Sequence, residues 1–96
     1  MQIEKFLDTA IDLKVSFLKA KDKGIYNYSD YRDGFQISSS LFQEIKGDRD
    51  HTIKVFDKSN YKYEYQVIIA GLMFFCLSPY LIYEDDAERL QDEEDV

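Results

Sequence analysis

The chain is 96 residues long, with 45% hydrophobic, 16% aromatic and 32% charged residues and a formal net charge of −7. That length restricts it to one hydrophobic core, and its apolar and aromatic content excludes a disordered acidic segment. One cysteine, Cys76, excludes an intramolecular disulfide framework, and Met1–Thr9 lacks a basic-then-apolar leader, so a reducing, cytoplasmic setting is the expectation.

The charge is unevenly placed. Residues 1–83 hold eleven Lys/Arg against eleven Asp/Glu. Residues 84–96 hold Glu84, Asp85, Asp86, Glu88, Asp92, Glu93, Glu94 and Asp95 against Arg89 alone. The expected organisation is therefore a neutral folded domain over residues 1–83 and an acidic tail over 84–96, either a frayed helix over Glu84–Gln91 or disordered. A surplus of acids argues against direct nucleic-acid binding, which needs Lys/Arg on one face. It points to a basic partner surface, or to simple solubility.

In chain order, Ile3–Lys21 reads as an amphipathic helix. At 100° per residue Ile3, Phe6, Leu7, Ala10, Ile11, Leu13, Phe17 and Leu18 form one broad stripe opposite Lys5, Asp8, Asp12, Ser16 and Lys19. Gly24 follows the lysine-rich last turn and is placed to end the helix in the left-handed conformation. Ile25–Tyr31 and Phe35–Ser38 read as a hairpin about an Asp33-Gly34 turn. Ser40-Leu-Phe-Gln43 has capping-box spacing for a short helix to Lys46, stopped by Gly47. His51–Phe56 and Tyr61–Ile69 alternate as strands around the polar turn Asp57–Asn60. Ala70-Gly71 turns the chain into Leu72–Leu77, a strand apolar on both faces and therefore interior to a sheet. Pro79 ends it, and Tyr80–Tyr83 is a candidate last strand.

The run Val67–Tyr83 is the one membrane-span candidate. It is shorter than the roughly 20 residues a span needs and carries Gly71, Ser78 and Pro79, so strands around a turn are the preferred reading. The expected fold is α+β: an N-terminal amphipathic helix packed on a small antiparallel sheet of four or five strands, with a short second helix and the acidic tail.

Candidate chemistry is sparse. A single His51 and a single Cys76 cannot build a zinc site within one chain, and neither Asp48-Arg-Asp50 nor Asp57–Asn60 continues into a calcium loop, so no metal or cofactor is expected. Cys76 lies among Phe74, Phe75 and Leu77, the setting of a buried inert thiol, and no phosphate-binding glycine loop or nucleophile elbow occurs. A non-enzymatic protein is the expectation. The candidate binding residues are the eight tail acids together with Tyr61, Tyr80 and Tyr83, because tyrosine is enriched at interfaces. Tyr63 and Tyr65 share a strand face with Val67 and Ile69, which places them under a helix in the core.

The plan of an opening helix, short aromatic strands and terminal acids resembles small phage- and prophage-encoded inhibitors of the anti-CRISPR type. Tyr61–Leu77, with its Ala70-Gly71 turn and Phe74-Phe75 strand, is similar to hairpins in such proteins. The resemblance implies a stoichiometric inhibitor from a phage or mobile element, docking its acidic surface as a DNA mimic on the basic surface of a host nucleic-acid-handling complex. The alternative is an accessory or virion assembly module that self-associates, as a homodimer for example, through its tyrosine-rich sheet. Neither reading has the chain bind nucleic acid or membrane directly.

Overall fold

The computed structural model describes residues 2–87 together with Leu90. The elements run α1 (Ile3–Asp22), β1 (Ile25–Ser29), β2 (Gly34–Ile37), α2 (Ser39–Lys46), β3 (Thr52–Val55), β4 (Tyr63–Ile69) and β5 (Leu72–Ser78). This is the α+β class expected from the sequence. The sheet order is β1-β2-β5-β4-β3. Its one departure from an antiparallel sheet is the β2–β5 pairing, which is parallel, with Phe35 opposite Phe74. A parallel neighbour needs a long crossover, and α2, β3 and β4 together supply it between the end of β2 and the start of β5.

Local chemistry accounts for most boundaries. Gly24 has φ +92, its amide donates to the Lys21 carbonyl at 3.0 Å, and a Cβ there would press on Leu41 at 3.2 Å. The Ser38 amide donates in turn to the Gly24 carbonyl at 3.1 Å, so the end of α1 is tied to the start of α2. The cap of α2 is Ser38 rather than Ser40: the Ser38 hydroxyl accepts from the Leu41 amide at 3.1 Å. Gln43 instead reaches back to the Ser39 carbonyl. At the first hairpin, the turn occupies residues 30–33 and Gly34 begins β2. A Cβ at Gly34 would lie 2.5 Å from the end of the Met73 side chain across the parallel pair, so a larger residue there would make Met73 swing aside. Ala70 (φ 53) and Gly71 (φ 79) are both left-handed, as a two-residue hairpin turn matching strand twist requires.

The core lies on one sheet face. Ile37, Tyr65, Val67 and Cys76 are buried there beneath Phe42 of α2, with Leu41 and Ile45 beside it. The segment after β5 folds back over the same face, bringing Ile82 and Tyr83 onto the cluster. No strand forms at Tyr80–Tyr83. Val67–Tyr83 is the end of β4, the hairpin turn, β5 and this return segment. No helix among the described residues is long and apolar enough to cross a membrane.

The expected packing of α1 on the sheet is not what occurs. Every residue from Ile3 to Lys19 is exposed, and Ala20 alone in α1 is half-buried. The reason is competition for the core face: α2 and the return segment already cover it. The second sheet face carries buried Glu64, whose carboxylate accepts from Arg32 Nε at 2.8 Å and from the Gln66 side-chain amide. Arg32 also lies over the Phe75 ring, 4.8 Å from its centroid. A polar network of this kind leaves no dry surface for a helix stripe. α1 therefore leans against β1 through its C-terminal half and stands off the body. The molecule measures 59 × 27 × 23 Å with a radius of gyration of 16.9 Å, against about 12–13 Å for a compact chain of this length.

Candidate functional site

Two regions carry features beyond a plain core. The first is α1 and the groove at its foot. Leu13, Phe17 and Ala20 of α1, with Ile25, Tyr28 and Phe35 of the first hairpin, line an open apolar groove of about 420 Å³. Tyr28 packs edge-on against Phe35 at 5.1 Å, and Phe35 stacks on Phe74. The groove floor is thus a rigid extension of the core. The Tyr28 hydroxyl donates to the Asp33 carboxylate, which, with the neighbouring negative charges, raises its pKa above the ordinary value. Above the groove the stripe continues in the open: Phe6 is 57% exposed, Ile11 58% and Leu13 66%. The eight large apolar side chains between Ile3 and Leu18 leave on the order of 800 Å² of apolar surface on one helix, above the largest patch of an ordinary monomer.

The second region is the return segment. His51 Nε2 lies 2.9 and 3.1 Å from the two Asp86 carboxylate oxygens, and Asp86 is wholly buried. The rings of His51, Tyr65 and Tyr83 surround the pair, with Tyr83 4.9 Å from His51 and 5.7 Å from Tyr65. Lys46 Nζ caps the Tyr83 ring at 4.8 Å. The Tyr65 hydroxyl accepts from the Ile82 amide at 2.9 Å. A carboxylate, an imidazole and two tyrosine rings thus clamp the chain just past Tyr83 to the body.

The expected binding residues therefore divide. Glu84 and Asp85 are exposed, while Asp86 is inside the fold and its carboxylate faces His51 rather than solvent. The described fold continues past Tyr83 for this reason. Tyr61 and Tyr80 are exposed, and Tyr83 is half-buried in the ring cluster. Glu88, Asp92, Glu93, Glu94 and Asp95 lie outside the described residues. Tyr65 packs in the core against Phe42 of α2 rather than under α1, and Tyr63 is half-buried beside the same cluster. Sequence reasoning passed over the His51–Asp86 pair because 35 positions separate its members. It also passed over Glu64, whose place in an alternating strand gave no sign of burial. Neither has a local signal.

Cys76 is buried, and burial pushes its thiol up to about 12 from 9.0. Burial likewise pushes the Tyr65 hydroxyl up to about 12 from 10.0. Both groups fold in the neutral form and ionise more readily in the unfolded chain. The stability linked to them is complete below about pH 9 and is lost as pH rises toward about 12. Two outcomes are expected. The urea midpoint is flat from neutral pH to about pH 9 and falls above it. A thiol reagent labels Cys76 at neutral pH only when urea unfolds the chain. A thiol that reacts at once in the native protein contradicts the buried placement.

No protein-family model, curated protein or solved structure matches this chain. Among the described residues, no group of three His, Cys, Asp or Glu is placed to hold a metal ion.

Proposed function

We propose that the protein is a non-enzymatic interaction module that works by burying the apolar face of α1, with the groove at its foot, in a protein–protein interface. The observation that carries this reading is a 20-residue amphipathic helix with no buried residue. A helix in water is held chiefly by the packing of its apolar face, and an isolated one of this length is marginal. A surface of this size rimmed by charge is the usual mark of a docking site. The tyrosine-rich sheet of the alternative assembly reading contributes to the groove through half-open Tyr28 of β1.

A second reading keeps the acidic segment as the working surface. In it the chain is a phage or mobile-element inhibitor of the anti-CRISPR type, offering Glu84, Asp85 and the acids beyond them to a basic, nucleic-acid-handling effector in the host cytoplasm. What favours it is the exposure of Glu84 and Asp85 at the start of the segment that holds the whole net charge of a neutral body. A carboxylate surface of this kind associates fast and is weakened by salt, whereas an apolar helix interface is not.

One capture experiment tests both. A tagged chain is incubated with host lysate containing an untagged copy, then washed at low and high salt. The apolar reading predicts a bound protein retained in high salt and lost in the Phe6→Ser/Leu13→Ser variant, at least tenfold, with Glu84→Gln/Asp85→Asn unaffected. The acidic reading predicts the reverse on every arm. Ending the chain at Tyr83 is the wrong tool, because it also removes Asp86 from His51. Capture that survives the α1 substitutions in high salt contradicts the apolar reading.

A further inference from the structure

The spacing of α1 says what covers it. Ile3, Phe6, Ala10, Leu13, Phe17 and Ala20 recur at alternating intervals of three and four, the seam of a helix that packs along another helix. Laid antiparallel on itself, this seam meets in level layers: Ile3 against Ala20, Phe6 against Phe17, Ala10 against Leu13, and the same layers again by symmetry. Large residues face small ones in two of the three kinds of layer, and the third is an aromatic pair. A parallel pairing instead sets Ala10 on Ala10 and Ala20 on Ala20, leaving voids between Phe layers.

Area agrees: of the apolar surface open on α1, the seam side chains Ile3, Phe6, Leu13 and Phe17 hold about 500 Å², and the groove wall beneath them brings each side toward the roughly 600 Å² at the lower end of a stable interface. The groove of about 420 Å³ between Leu13, Phe17 and Ala20 and the first hairpin lies where the partner's Ile3 and Phe6 would arrive.

We propose that the occupant of this face is a second copy of the chain, bound through an antiparallel α1–α1 pair about a two-fold axis, with the partner's Ile3 and Phe6 seated in the groove. The interface is isologous and closes at two subunits. This inference rests on the α1 docking reading and specifies its partner.

Light scattering on the purified full chain at micromolar concentration tests the stoichiometry, and cysteine pairing tests the direction. The wild type is expected at twice the chain mass, and Leu13→Glu at the monomer mass with the sheet still folded by tyrosine fluorescence. Chains carrying Phe6→Cys mixed under mild oxidation with chains carrying Phe17→Cys are expected to give the mixed disulfide. Phe6→Cys alone is not expected to pair, because two such positions lie about 16 Å apart along antiparallel helices, beyond disulfide reach. A monomeric wild-type chain overturns the inference, and capture of a different protein through α1 would then leave the docking reading standing. A dimer that forms the Phe6→Cys homodisulfide, or one that Leu13→Glu leaves intact, overturns it as well.

Discussion

Replacing Tyr65 by alanine is expected to remove about 4 kcal/mol, a large share of the roughly 5–14 kcal/mol available to a chain of this size. Tyr65 is wholly buried and its ring touches those of Phe42, His51 and Tyr83. Its hydroxyl is the acceptor for the Ile82 amide, so it holds α2 and the return segment to the same strand. Truncation opens a cavity under α2 and leaves the Ile82 amide without that acceptor. Tyr65→Phe keeps the ring and is expected to lose about 1 kcal/mol, the net worth of one hydrogen bond. Urea midpoints for the two variants check the difference: equal losses would mean that the hydroxyl and not the ring does the holding.

The second large effect is expected at Asp86. Removing one partner of a buried hydrogen bond typically loses about 1–3 kcal/mol, because the other is left unsatisfied in a dry site. Asp86→Ala is accordingly expected to destabilise the fold by about 3 kcal/mol, with His51 left among the rings. Asp86→Asn keeps a hydrogen-bonding oxygen and is expected to lose about half as much. The same substitution releases the end of the chain, so limited proteolysis after residues 82–87 is expected to speed up before global unfolding does. Unchanged cleavage together with an unchanged midpoint would mean that the clamp does not hold the return segment. This is also why charge substitutions at Glu84 and Asp85, which are exposed, and at Asp86, which is buried, are expected to behave as different experiments.

What could be read from the sequence followed locality. The ends of α1 were legible to within a residue because a 3.6-residue stripe and a following Gly24 are both local signals. Ala70-Gly71 was legible as a turn because strand patterns flank it on both sides. The core placement of Tyr65 followed from its sharing a face with Val67. The cap at Ser38 was missed because three serines in a row offer several frames for one motif, and the tertiary contact of Gly24 with Ser38 chooses among them. The parallel β2–β5 pairing and the His51–Asp86 pair join positions separated by dozens of residues, and nothing in either neighbourhood anticipates them. The stripe on α1 was legible as apolar, but a stripe states only that it is to be covered. Which surface covers it depends on what α2 and the return segment have already taken. The antiparallel layers of α1 are in the sequence as well, yet they acquire meaning only once the helix is found standing clear of the sheet.

The account turns on α1 being a binding face and not a piece of core. The most direct measurement is urea unfolding of the Phe6→Ser/Ile11→Ser double variant and the wild type, both at concentrations dilute enough to dissociate any complex, followed by tyrosine fluorescence of the sheet. The account predicts midpoints that agree to within about 0.5 kcal/mol, as for exposed positions. A loss of about 4 kcal/mol, the size expected when buried Phe and Ile are removed, would place these side chains in the core of the single chain and contradict the account.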